Sequence, residues 1–277
     1  MHVKDRTFVI TGGASGLGLA TAEDLHQHGG YIAILDMNPE NGEKVVKSIG
    51  RDRAKFFEVD VTETESLEAA VKSVVEWTKQ TSKPIGGVIP AAGVGRPGKL
   101  LDRNLNPIKM EALDWVIDIN LRGVLNTIRL VLPHMARNEP IGEDNERGVI
   151  VMVSSSSAFE GQVGQLSYAA TKGAIRSMTL VLARDLAPNG IRAMSIAPSL
   201  FKTAMSDQLS PKVLQALVSA TEYPKRLGNA KEFAMMVRQC IENPYLNGEC
   251  VRLDGAVITY LYRSTSRAAI KILWTWL

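Results

Sequence analysis

Residues Thr7–Gly18 read TFVITGGASGLG. The opening TFVI is β-branched and aromatic, as a buried strand requires, and the chain then passes straight into a glycine-rich turn ahead of a helical pattern. Glycines at 12, 16 and 18 let the main chain turn tightly and approach a pyrophosphate, whose charge is met by free amides at the following helix N-terminus. The spacing is TGxxxGxG and not GxGxxG, because three residues separate Gly12 from Gly16. Strand, glycine turn and helix in this order form a nucleotide cradle.

Outward from that turn, short β-branched runs alternate with amphipathic stretches. TFVI, YIAIL, KFFEV, GGVI, GVIVMVS, IRAMSIA and ECVRL read as strands, with helices near 16–28, 40–49, 64–80, 111–137, 167–186 and 230–242. This is the pattern of stacked βαβ units, so the expected fold is α/β: a single doubly wound Rossmann domain with a seven-stranded parallel sheet over residues 1–256. Two segments break the alternation, the polar loop 138–147 and the stretch 200–223 after the sixth strand. The second is expected to be a substrate lid, a surface helical excursion being the other way to read it.

The second strand, YIAILD, ends in Asp36, eighteen residues beyond Gly18. A carboxylate there accepts hydrogen bonds from an adenosine ribose and repels a 2′-phosphate, and no Arg or Lys stands in the glycine turn to welcome one, so NAD is favoured over NADP. At the end of the third strand, EVDVT places Asp60 and Val61 where an adenine could lie, although Asp60 serves nearly as well as a helix-capping group.

The chemistry is expected from VSSSS at the end of the fifth strand and from SYAATK. Tyr168 and Lys172 lie one helical turn apart on one face, and Ser155 precedes the tyrosine by thirteen residues. A phenol titrates near ~10 in water; an ammonium beside it, with an oxidised nicotinamide as second cation, favours the phenolate. Lowering it by about two or three pH units requires only ~3–4 kcal/mol. Tyr168 would then exchange the hydroxyl proton of a secondary alcohol, Ser155 would hold the substrate oxygen, and Lys172 would also anchor the nicotinamide ribose.

The rest of the chain narrows the class. Its 277 residues are 45% hydrophobic and 22% charged with net charge +3, the balance of a soluble globular protein whose scattered basic residues call for no nucleic acid. Cys240 and Cys250 lie outside any metal-ligand spacing and give no sign of a disulfide framework, which fits a reducing, intracellular compartment and no metal. The opening MHVKDRTFVITGG runs at once into strand pattern, so no targeting peptide is evident and a cytoplasmic or mitochondrial location is expected. No apolar run reaches the ~18 residues of a membrane span. The segment 257–277, rich in aromatic and apolar residues broken by Arg263, Arg267 and Lys271, reads as an interfacial helix, an oligomer contact or an extension without a special role.

With these residues assembled, the chain resembles the short-chain dehydrogenase/reductase family over about residues 5–256. TGxxxGxG at Thr11–Gly18, Ser155, YxxxK at Tyr168–Lys172 and DINLRG carry the likeness, and Asn120 of the last matches the family's fourth catalytic residue, which distorts its helix and holds a relay water. ITGGASGLGLATAE, RGVIVMVSSSSAFEGQVGQLSYAATKGAI, ARDLAPNGIRAMSIAPSLF and IENPYLNGECVRLDGA are similar to the type II 3-hydroxyacyl-CoA dehydrogenases, which also oxidise hydroxysteroids. That resemblance implies a homotetramer with reversible NAD-linked oxidation of a 3-hydroxyacyl thioester. It implies NAD contacts from Ser15, Leu17, Asp36, Asp60, Val61, Ala91, Gly93, Tyr168, Lys172 and Phe201, beside the glycines Gly12, Gly16 and Gly18, and a substrate side formed by Ser155, Gln162 and Gln165.

Two departures bear on it. PAAG has Pro90 where the family has asparagine, which removes a main-chain donor from a central strand, and APSLF has Ser199 where glycine is usual. A hydroxysteroid or secondary-metabolite alcohol is the alternative substrate class. A scaffold or RNA-processing partner, or a repurposed biosynthetic enzyme, is the alternative on the same fold.

Overall fold

The computed structural model describes residues 1–203, 206 and 210–257; the lid positions Met205 and Leu209 and the segment 258–277 lie outside the described residues. Strands β1 (Thr7–Thr11), β2 (Tyr31–Asp36), β3 (Ala54–Glu58), β4 (Ile85–Pro90), β5 (Gly148–Val153) and β6 (Ile191–Pro198) appear where expected. Two short strands, β7 (Phe201–Lys202) and β8 (Gly228–Asn229), pair with each other, and β9 (Cys250–Leu253) is the last. The main sheet has seven strands in the order β3-β2-β1-β4-β5-β6-β9, every pair parallel. The order reverses between β1 and β4, so the carboxyl ends of those strands diverge into a crevice.

Side chains alternate across this sheet into two cores. Phe8, Ile10, Ile32, Ile34, Val149 and Val151 face α1 (Gly16–Gln27), α2 (Pro39–Ile49) and the last helix, α8 (Ala230–Glu242). Val9, Ala33, Leu35, Val88, Ile150 and Met152 face α3 (Thr64–Thr81), α5 (Gly123–Ala136) and α6 (Leu166–Leu186). Burial on both faces is why these strands read as nearly continuous apolar runs. Between β6 and α8 lies α7 (Pro211–Ala220), in the stretch expected to form the lid. No described helix is long and apolar enough to cross a membrane.

Three local features refine the sequence expectation. The helix over 111–137 is interrupted where the resemblance implies a distortion at Asn120: α4 (Met110–Ile117) passes into a π-helical turn, Asp118–Arg122, before α5. Pro90 costs the sheet little. The Ala91 N–H donates to Thr11 O at 3.1 Å, so by alternation the Pro90 nitrogen faces β5, whose pairing with β4 ends at Val88 opposite Ile150. The polar loop 138–147 carries a buried anion, Glu146, paired at 2.7 Å with Arg192 and also with the Met1 amine. Arg192 in turn donates to the carbonyls of Cys240, Ile241 and Leu246, so one guanidinium closes the C-terminal end of α8 and satisfies that loop.

Phe233 of α8 is fully buried and meets the Phe201 ring edge-on, centroids 6.2 Å apart. Replacing Phe233 by alanine is expected to lower stability by about 3–5 kcal/mol, read as a fall in the urea midpoint at constant slope. A loss below about 1 kcal/mol would show that this contact does not anchor α8 and β7.

Candidate active site

The crevice is built from loops at the carboxyl ends of β1, β2, β4 and β5. At β1, Gly12 has φ +64° and a Cβ there would lie 2.8 Å from the Ala92 main chain; one on Gly18 would lie 2.2 Å from Gly12 O. Neither position tolerates a side chain without displacing main chain, which is why the turn is glycine at both. Ser15 is the N-cap of α1, and its side chain caps none of the first-turn amides of this helix. An anion-binding cradle has this form, and the residues present fit a pyrophosphate. Leu17 packs against the adjoining core.

Asp36, at the end of β2, accepts the Ala14 N–H at 3.0 Å on one oxygen and the Asn38 N–H at 3.1 Å on the other. The carboxylate is therefore fixed at the rim of the glycine turn. Asp60 accepts both the Thr62 N–H at 2.9 Å and the Thr62 hydroxyl at 2.7 Å, closing an Asx turn ahead of α3, whose N-cap is Glu63 and not Asp60. A Cβ on Gly123 would lie 3.0 Å from the Val61 side chain, so the start of α5 is held tightly against the turn that follows β3.

At β4 the loop Ala91–Val94 meets the interrupted helix. Asn120 is fully buried; its Oδ1 accepts the Val94 N–H and its Nδ2 donates to Val94 O, both at 2.8 Å. The π turn brings this side chain to the loop. Between them sits Gly93, whose added Cβ would stand 3.3 Å from Asn120 Oδ1 and 3.6 Å from Lys172 Nζ. Asn120, Gly93 and Lys172 thus form one contiguous wall, and any larger residue at 93 would crowd it.

Lys172 is buried and donates from Nζ to Val153 O at 2.8 Å, while Ser154 Oγ donates to the Lys172 carbonyl at 2.8 Å. Burial pulls the Lys172 pKa down to about 8. Ser155, next along the chain, accepts the Ser157 N–H at 3.1 Å; on either side of it Ser154 and Ser157 bond to α6, which brings it to the Tyr168 side of the crevice, where it lowers the Tyr168 pKa. Tyr168, Lys172 and Ser155 are brought together as expected. The electrostatics differ: burial raises the Tyr168 pKa and outweighs the lowering by Ser155, and the ammonium, 5.7 Å from the tyrosine ring centroid, is engaged with Val153.

Gln165 opens α6 and its Oε1 accepts the Ser157 hydroxyl at 3.0 Å; the Gln162 carbonyl accepts the Gln165 N–H at 3.1 Å. Both flank the Ser155 turn. The Phe201 ring is in the core, against Phe233 and Gly228, so this residue faces the crevice with its main chain and not its ring. Thr203, two residues on and not singled out in the sequence, lies over the glycine turn, 3.6 Å from where a Gly16 Cβ would be. Its only signal was its place just after a strand end. Together these groups can bind a dinucleotide along the crevice and, at its inner end, hold an alcohol oxygen between two hydroxyls while exchanging its proton.

A model of the short chain dehydrogenase family matches residues 6–214. Human 3-hydroxyacyl-CoA dehydrogenase type-2 is 44% identical over 256 residues, 92% of this chain and 96% of the relative. Ipsdienol dehydrogenase of Ips pini is 32% identical over 259 residues, covering 93% of this chain and 98% of the relative. The crystal structure of a 3-hydroxyacyl-CoA dehydrogenase type-2 from Mycobacterium avium superposes with a TM-score of 0.84 at 35% identity, over 91% of this chain and 95% of that one. On the crevice geometry and these likenesses the chain belongs to the short chain dehydrogenase family, oxidoreductases that act on CH–OH groups with a nicotinamide cofactor.

Proposed function

We propose that the chain is an NAD-dependent dehydrogenase that interconverts a 3-hydroxyacyl-CoA and its 3-oxoacyl thioester. The observation that carries this reading is the serine turn of Ser155 tied to the helix of Tyr168 and buried Lys172 by the Ser154–Lys172 and Ser157–Gln165 hydrogen bonds, at the inner end of a crevice whose outer rim is Asp36. Similarity to the human and mycobacterial 3-hydroxyacyl-CoA dehydrogenases supports the substrate class. Asp36, held by two main-chain amides, supports NAD over NADP, because a 2′-phosphate would meet a fixed carboxylate.

When bound, NAD supplies the carbon that gives or takes hydride and, oxidised, a positive charge that favours the phenolate. The chain's own groups do the rest. Ser155 holds the substrate oxygen, and Tyr168 takes the hydroxyl proton in oxidation and returns it in reduction. Lys172 keeps a cation beside the phenol and donates to the ribose. Asn120, with both side-chain amide atoms engaged by Val94, positions Gly93 and does not carry the proton by its side chain. Gln162 and Gln165 border the substrate side, the glycine turn with Ser15, Leu17 and Thr203 holds the pyrophosphate end, and Asp60, Val61 and Ala91 border the adenosine. Phe201 contributes through its main chain. The segment 200–223 acts as the lid, and exposed Leu125, Leu180 and Val181 on α5 and α6 give an apolar face for a homotetramer.

In NADH-dependent reduction of acetoacetyl-CoA, Tyr168→Phe is expected to lower kcat by about 10²–10⁴ with NADH affinity retained. Turnover persisting in that variant would remove Tyr168 from the chemistry. Because a raised Tyr168 pKa leaves the free protein protonated at neutral pH, alcohol oxidation is expected to gain rate as pH rises, while ketone reduction loses it. Parallel pH–rate profiles for the two directions would be inconsistent with this assignment. Asp36→Ala is expected to raise the ratio of kcat/KM with NADPH to that with NADH by about tenfold or more; an unchanged ratio would mean that Asp36 does not select the cofactor.

A further inference from the structure

The turn that carries Ser155 is fastened from outside the crevice. After Ser155 the chain makes a 3-10 turn, Ser156–Ala158, and ends it at Phe159 and Glu160, whose N–H groups both donate to Ser156 O. Two guanidinium groups lie over the Phe159 ring, Arg176 at 4.1 Å and Arg252 at 5.1 Å from its centroid. Arg176 stands on α6 two helical turns beyond Tyr168. Arg252 comes from β9, the edge strand, and donates to Glu160 Oε1 at 2.8 Å and to Asp254 Oδ2 at 2.6 Å. The Asp254 carbonyl accepts the Ser199 hydroxyl at 3.3 Å, from the segment that enters β7.

We propose that Arg252 is a positioning residue that sets Ser155 against Tyr168. It grips both residues at the far end of the Ser155 turn, Phe159 by its face and Glu160 by its carboxylate. The same ring is stacked on the helix that carries Tyr168. Ser155 and Tyr168 therefore keep their separation because one clamp spans the two elements, and Ser199, at the place where the family has glycine, links the clamp to the base of the lid. A planar guanidinium suits this work because it can stack and fork at once, which an ammonium cannot. The proposal rests on the assignment of Ser155 and Tyr168 as the proton-handling pair, but not on the identity of the substrate.

The test needs no substrate. Difluorotyrosine is placed at position 168 of the full chain, and its titration is followed by fluorine NMR in the parent, in Arg252→Met, in Ser155→Ala and in the double variant. Ser155, held beside α6 by the Ser154–Lys172 and Ser157–Gln165 hydrogen bonds, lowers the Tyr168 pKa, so losing its hydroxyl raises the midpoint. Expected is an upward move of about half a pH unit or more in Arg252→Met, a similar one in Ser155→Ala, and no further move when both are changed. Phe159→Leu, which removes the stacked ring but leaves the charges, is expected to give a smaller move in the same direction and serves if Arg252→Met does not fold. An unmoved midpoint in Arg252→Met or, failing that, in Phe159→Leu overturns the proposal. So does a move of equal size when Ser155 is already alanine, since Arg252 would then act as a distant charge and not through the serine. Failure of acetoacetyl-CoA turnover bears on the substrate assignment alone and leaves this titration intact.

Discussion

A buried ammonium with a main-chain carbonyl as its acceptor holds the site together. Lys172 Nζ donates to Val153 O, and Ser154 Oγ returns a hydrogen bond to the Lys172 carbonyl, so one residue of α6 is tied at two points to the end of β5. That tie fixes where Tyr168 stands, one turn earlier on the same helix, relative to Ser155, two residues beyond Val153. It also fixes the wall formed with Gly93 and Asn120. Burying a cation here is unfavourable, which is the cause of the depressed Lys172 pKa; the site keeps the group because a charge next to the phenol is useful only where water does not screen it.

The parallel sheet makes such a tie possible. Reversal of strand order between β1 and β4 opens the carboxyl ends into a crevice, and every loop that matters leaves from those ends: the glycine turn from β1, Asp36 from β2, Ala91–Val94 from β4 and the serine turn from β5. Binding and chemistry divide along this line. The outer part offers helix amides and a fixed carboxylate, features that need only main-chain geometry. The inner part needs side chains from three elements within a few ångströms, and there the chain departs from regular structure, with a π turn at Asn120 and a 3-10 turn after Ser155.

Much of this was legible in the sequence because it is local. The strands showed as apolar runs since both faces of the sheet are covered, and the glycine turn showed because no side chain fits at 12 or 18. Tyr168, Lys172 and Ser155 were recognisable from helical spacing and strand position. What escaped depends on partners distant in the chain. Glu146 looked like one acid of a polar loop until Arg192, forty-six residues later, buried it. Pro90 looked costly because strand pattern does not say toward which neighbour a nitrogen points. The sign of the Tyr168 pKa could not be read from a Tyr–Lys pair, since it turns on the balance between desolvation and distance. Arg252 and Glu160 are 92 residues apart in the chain, and Arg252 meets Glu160 and its neighbour Phe159 only in the fold.

The central claim is that this crevice moves hydride between NAD and carbon 3 of an acyl thioester, with Tyr168 handling the proton. Its most direct test is isotopic: reduction of acetoacetyl-CoA with NADH carrying deuterium at the transferable position of the nicotinamide, followed by mass spectrometry of the product. The account predicts 3-hydroxybutyryl-CoA with a single deuterium, bonded to carbon 3. Product without deuterium, or with deuterium elsewhere, would contradict direct transfer and with it the assignment of the crevice.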